Sequence, residues 1–264
     1  SEAIFRKLLA LYPETRALRH TLAQFYLSHG RPDAAEAEYR AIAAENPADI
    51  QARLDVVRFI GSVKGQKAAQ QHLQEMISSE PGNNELGFAL ASMQQAEGNH
   101  RAAEAVFRSI IERSGESPDA VKAKGLLAGV LLANGDKPAA QALIDQVLAG
   151  DQRNEQGLLL KASLAVDERK FDLAIADLRT ILRDSPNSPR ALLMLAKAHE
   201  LAGAPELAQE NYQKAYEAGK PALQFGVAYA EFLLTRNQPA RAEVVVSEVL
   251  QAEPASVPAM KILA

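Results

Sequence analysis

The sequence predicts an all-α fold, a stack of antiparallel helix pairs in which each pair touches only its neighbours. Three observations carry that prediction. Small residues recur at Ala35, Ala69, Ala103, Ala140, Ala174, Ala208 and Ala242, spaced by 34, 34, 37, 34, 34 and 34 residues. Four and seven residues after each of these alanines stand further apolar side chains, the spacing of a single helical face. The composition agrees: 47% of the 264 residues are apolar, only 5% are aromatic and none is Trp, which suits close-packed helices better than a pleated sheet.

Each unit follows one plan. A small residue twelve places before the alanine lets the first helix approach its neighbour. A turn lies five places before the alanine, where glycine supplies the positive φ that stops a helix. A proline twelve places after it ends the second helix. Residues 1–13, with Phe5 and Leu8 on the stripe and Pro13 closing, read as a second helix lacking its first. Unit 14–47 has Ala23, a turn at Gly30, then Ala35, Tyr39 and Ile42, closing at Pro47. Unit 48–81 has Val57, a turn at Lys64, then Ala69, Leu73 and Met76, closing at Pro81.

Unit 82–118 has Ala91, Gly98, Ala103, Phe107 and Ile110, with Gly115 in place of proline. Its three extra residues fall in Glu112 to Asp119, whose composition reads as a lengthened loop or a bend between two sub-arrays. Unit 119–152 carries Ala128, Gly135, Ala140, Ile144 and Val147, ending at Gln152. Unit 153–186 carries Ala162, a turn at Arg169, Ala174, Leu178 and Ile181, ending at Pro186. Unit 187–220 carries Ala196, Gly203, Ala208, Tyr212 and Ala215, ending at Lys220. Unit 221–254 carries Ala230, a turn at Asn237, Ala242, Val246 and Val249, ending at Pro254, and residues 255–264 begin one more first helix.

This arrangement resembles the tetratricopeptide repeat (TPR) family over the whole chain, though the Trp of the family's first helix is absent throughout. The resemblance implies one domain over residues 1–264. It would be a right-handed α-α superhelix of about fifteen helices, a TPR solenoid of seven full repeats with a partial repeat at each end. The open ends lead us to expect a parent protein that continues in both directions. The function implied is a non-catalytic scaffold for protein–protein interaction. Long Ala-rich arrays are similar to the TPR regions of bacterial cell-envelope proteins that assemble secretion or polysaccharide-export machines. The alternative is the recognition arm of an enzyme or regulator whose catalytic domain lies elsewhere.

In this family the first helices line the concave face, so residues eighteen, fifteen and eleven before each alanine are expected to look inward. The expected protein-binding residues among them are Phe88, Ser92, Lys122, Gly125, Gly129, Leu159, Ser163, Arg190, Leu193 and Lys197. Gly125 and Gly129 either admit a ligand backbone in mid-groove or allow tight packing of that helix on its neighbour. Arg58, Lys122, Arg190 and Lys197 offer a basic edge for an acidic segment. Family members that clamp a C-terminal carboxylate use Lys and Asn, and the inward positions hold no Asn, which disfavours that ligand.

No catalytic constellation is expected. The chain has no Cys, so thiolate nucleophiles and Cys-ligated metals are excluded. Its five histidines, His20, His29, His72, His100 and His199, show no paired metal-ligand spacing. Gly61 to Lys67 lacks the order of a phosphate loop and reads as a turn. No cofactor or metal is therefore expected, and the partner is expected to be a protein or peptide. A net charge of −4 and a pI near 5.8 argue against nucleic acid. The longest apolar run, near Gly125 to Ala133, falls short of the ~20 residues that cross a bilayer, so no membrane insertion is expected. The oligomeric state stays open. The composition fits cytoplasm or periplasm, with the periplasm favoured.

Overall fold

A computed structural model describes residues 2–12, 15–220 and 222–263. Pro13 and the unit border at residues 13 and 14 lie outside the described residues, as does residue 221, read above as the start of a unit. Among the described residues there are sixteen α-helices and no β-strand. They are α1 (Glu2–Leu11), α2 (Arg16–Ser28), α3 (Pro32–Glu45), α4 (Ile50–Lys64), α5 (Gln66–Ser79), α6 (Asn84–Ala96), α7 (His100–Ser114) and α8 (Pro118–Ala133). There follow α9 (Lys137–Gly150), α10 (Glu155–Asp167), α11 (Phe171–Asp184), α12 (Pro189–Leu201), α13 (Pro205–Gly219), α14 (Leu223–Thr235), α15 (Pro239–Ala252) and α16 (Val257–Leu263). The fold is an all-α helical repeat.

Local chemistry sets the helix ends. Asp49, Asn99, Asp136, Asn154 and Ser188 each precede a helix and accept a hydrogen bond from the backbone N–H three residues on, at 3.0–3.4 Å. Each such cap satisfies a donor that the helix cannot use, and contributes about 1 kcal/mol. At the turns between paired helices, Gly30, Gly98, Gly135 and Gly203 have positive φ. Arg169 and Asn237, at the same repeat position, adopt it as well, with φ of 59° and 56°. Lys64 does not. Glycine stands one place later there, so α4 runs on through Lys64 and Gly65 alone, at φ 91°, joins it to α5. The stretch read as a turn over Gly61 to Lys67 is thus mostly helix with a one-residue break.

The chain forms two compact units, one up to Ala123 and one from Lys124. In the first, Leu22, Ala23 and Tyr26 of α2 pack with Ala35 of α3 and Phe59 of α4. Leu54, Val57 and Ile60 of α4 pack with Leu73 of α5 and Leu86 and Leu90 of α6. Arg19 and Arg53, one period apart, each bind the second helix of the pair or the residue that ends it: Arg19 reaches Glu38 at 3.1 Å and Glu45 at 2.7 Å on α3, and Arg53 holds both oxygens of Glu80, just past α5, at 3.0 and 2.6 Å. In the second unit, Leu158, Leu159 and Ala162 of α10 pack with Leu178 and Ile181 of α11 and Leu195 of α12. Tyr212 and Tyr216 of α13, Tyr229 and Phe232 of α14, and Val245, Val246 and Val249 of α15 form another cluster.

The periodic alanines from Ala35 to Ala242 are all buried to 1% exposure or less, and so are six of the seven small residues twelve places earlier; Val57 keeps 3%. Each fully buried Leu, Val or Phe in these layers contributes ~1.5–3 kcal/mol.

Candidate functional site

The site lies in the second unit and is built on α10, α12 and α14. Gly157, near the start of α10, lets α9 close in: an added Cβ would sit 2.9 Å from Leu148 Cδ2 and 3.1 Å from Val147 Cγ1. The beginnings of α10 and α12 lie side by side, because the Ser188 hydroxyl donates to Glu155 at 2.7 Å and Arg190 donates to Gln156 at 3.4 Å. Tyr212 of α13 then ties the later halves of α12 and α14 together. Its hydroxyl donates to Glu200 at 2.7 Å, and its ring stacks on Phe232 with centroids 4.8 Å apart. The three helices therefore run in one direction.

They line a cleft of about 710 Å³, within the range of sites that hold ligands. Arg190 and Gln224 border it where the helices begin. Leu159, Leu193, Met194, Phe225 and Ala228 form an apolar floor, Ser163, Lys197 and Glu231 sit level with one another midway, and Asp167, Glu200 and Thr235 border the other end. Leu159 and Phe225 are buried, whereas Leu193, Met194 and Ala228 are only partly covered and present surface to the cleft.

The charges divide into committed and uncommitted ones. Lys197 pairs with Glu200 at 3.0 Å, and Asp167 with Lys137 at 3.1 Å. Burial, reinforced by Glu200, pushes the Tyr212 phenol far above its ordinary pKa, so it stays protonated and donates. Among the described residues, Arg190 has no carboxylate and Glu231 no cation within 4 Å. Behind the cleft His199 is buried, and that burial, with Arg179 nearby, holds its pKa below the ordinary histidine value.

Of the ten residues singled out from sequence, Leu159, Ser163, Arg190, Leu193 and Lys197 meet in this cleft. The others stand elsewhere. Phe88 is buried, 6.4 Å from Phe107, beneath the Lys122 amine at 4.0 Å from its ring. Lys122 itself pairs with Glu85 at 3.1 Å. Ser92 borders a smaller cleft of about 430 Å³ with Val57, Arg58 and Met93. The space beside Gly125 is taken by Gln156, whose Cγ lies 3.1 Å from the site of an added Cβ, so helix packing accounts for this glycine. At Gly129 an added Cβ would meet only Leu160 Cδ2, at 3.8 Å.

The basic edge is largely neutralised, since Arg58 pairs with Asp55, Lys122 with Glu85 and Lys197 with Glu200. Sequence reasoning left out of the site Met194 and Ala228, fourteen places before their alanines, and Tyr212, which read only as core. The first pair shares a helical face with the residues chosen and could have been indexed; the role of Tyr212 depends on contacts across helices.

Two family models described as tetratricopeptide repeat match the chain, one at residues 2–54 and 94–164 and the other at 159–222. A protein of Pseudomonas fluorescens (strain SBW25) named cellulose synthase operon protein C is 25% identical over 268 residues, which cover 94% of this chain and 21% of that protein. A protein of the same name in Xanthomonas axonopodis pv. citri (strain 306) is 24% identical over 272 residues, covering 94% of this chain and 18% of its own length. The chain thus spans about a fifth of the length of these curated relatives. A tetratricopeptide repeat protein from Parabacteroides merdae ATCC 43184 shares the fold, with a TM-score of 0.67 at 14% identity, covering 94% of this chain and 97% of its own.

Proposed function

As the chain belongs to the tetratricopeptide repeat family, we propose that it is a non-catalytic scaffold that holds a segment of a partner protein in the cleft of α10, α12 and α14. The observation that carries this reading is the cleft's construction: partly covered apolar side chains on three packed helices, bordered by polar groups. Helices already fixed by their own cores lose little further freedom when a ligand arrives, so more of the contact energy appears as affinity. Leu193, Met194 and Ala228 supply apolar area, while the Tyr212–Glu200–Lys197 chain of bonds keeps the wall in one geometry. A stable complex buries on the order of 800 Å² per partner, more than this cleft alone offers, so neighbouring helices would share the contact.

The name of the relatives, cellulose synthase operon protein C, supports assigning this scaffold to a bacterial envelope machine that makes or exports a polysaccharide. Its partner would then be another protein of that machine.

A photo-reactive amino acid placed at Leu193 or Ser163 of the protein in its own cells tests the reading, with Gln213, exposed on α13, as control. We expect discrete protein adducts from the cleft positions and none from the control. Equal labelling from all three, or adducts only from Gln213, would remove the cleft from the function.

A further inference from the structure

Within that reading of the cleft as a protein-binding site, we infer that its occupant is an extended segment carrying one acidic and one basic side chain on either side of an apolar residue. The acidic side chain is received by Arg190 and the basic one by Glu231. The inference rests on how charge is laid out around the apolar floor. Every other ionised group of the cleft has a partner within the protein: Lys197 and Glu200 bind one another and Asp167 binds Lys137. Arg190, whose only bond is a 3.4 Å contact with the neutral Gln156, and Glu231 are left without an opposite charge among the described residues. They stand on different helices, Glu231 seven residues further along its helix than the position equivalent to Arg190, with Leu193, Met194 and Ala228 between them.

Helix dipoles sharpen the polarity. α10, α12 and α14 all begin at the Arg190 end, so their positive ends add to the guanidinium there. At the opposite end Asp167 and Glu200 fall in the last turns of their helices, where a carboxylate is locally unfavourable. A uniformly acidic or basic ligand meets one attractive and one repulsive end, whereas a segment of mixed sign satisfies both.

The spacing follows from helix geometry. Gln224 holds on α14 the repeat position that Arg190 holds on α12, and Glu231 lies seven residues beyond it, ~10.5 Å along the axis. With neighbouring axes about 10 Å apart, the two charges are separated by roughly 15 Å. An extended chain covers that distance in about four or five residues.

A displayed library of random twelve-residue peptides, selected on the full 264-residue chain, tests the inference. From the wild type we expect sequences with an acidic and a basic residue about four or five apart and an apolar residue between them. Glu231→Lys should instead select two acidic residues, and Arg190→Glu two basic ones. Each single variant should weaken the wild-type consensus peptide roughly tenfold, the scale of one charged hydrogen bond. Both positions are exposed, and helical circular dichroism checks that the variants stay folded. An apolar consensus with no charge pattern, lost in Leu193→Arg, would retain cleft binding and overturn the charge assignment. No enrichment, or peptides indifferent to Leu193→Arg, would overturn both.

Discussion

Tyr212 donates its hydroxyl hydrogen to Glu200 across a 2.7 Å gap, and the same carboxylate oxygen accepts from Lys197 at 3.0 Å. A residue of a second helix, placed by sequence in the core stripe, thereby fixes the wall of the cleft. Tyr212→Phe keeps the stack on Phe232 and removes only the bond, leaving Glu200 with a single donor. We expect a loss of about 1–2 kcal/mol, read as a lower urea midpoint with unchanged m-value. A shift within error would mean that the bond does not hold the wall.

His199 makes stability depend on mild acid. Its folded-state pKa lies below the ordinary value of 6.5, through burial first and Arg179 second. The neutral ring is therefore favoured by folding: its contribution is fully present above about pH 6.5 and is lost as pH falls from there through the folded pKa. Urea midpoints at pH 7.5 and 5.5 should show a lower value in acid for the wild type and a smaller difference for His199→Gln. Parallel profiles for the two proteins would exclude this residue as the source.

The turn at Arg169 holds a non-glycine residue at φ 59°, a conformation that costs an L-residue roughly 1–2 kcal/mol. Arg169→Gly should relieve that strain against the greater freedom of glycine in the unfolded chain, for a net gain of roughly 0.5 kcal/mol. Gly203→Ala, at φ 77° with open space around it, should cost about 1 kcal/mol through backbone strain alone. Thermal midpoints moving in opposite directions would bear this out, and a gain at Gly203 would refute it.

Glycines inside helices separate by what surrounds them. At Gly226 an added Cβ would overlap Val249 Cγ2 and stand 3.2 Å from Tyr216 Cε2, so Gly226→Ala should cost ~1–3 kcal/mol by overpacking. At Gly129, with only Leu160 at 3.8 Å, Gly129→Ala should stabilise by about 0.5–1 kcal/mol through helix propensity. Equal effects at both sites would show that these contacts do not govern the energetics.

The helical repeat was legible because its determinants are local and recur. Ala35 to Ala242 and the small residues twelve places before them lie where two helices press together, and a packing need that repeats every 34 residues leaves a pattern visible in one sequence. Four turn glycines were legible for a similar reason: the tolerance of positive φ is a property of glycine itself. The Lys64 turn was not, because one displaced glycine carries the helix a residue further.

Half of the residues singled out from sequence, Leu159, Ser163, Arg190, Leu193 and Lys197, line the candidate site, and all five could be indexed from the period. Only the tertiary structure decided which inward residues keep their surface and their charge. Phe88 is covered by Lys122, the space at Gly125 is filled by Gln156 and Lys197 is neutralised by Glu200, while Arg190 and Glu231 are left uncommitted. Several of these outcomes hang on partners some thirty residues away, and all depend on the path each long side chain takes across its neighbours. Helical spacing sets where a Cβ points; it does not set what the end of a lysine, arginine or glutamine will meet.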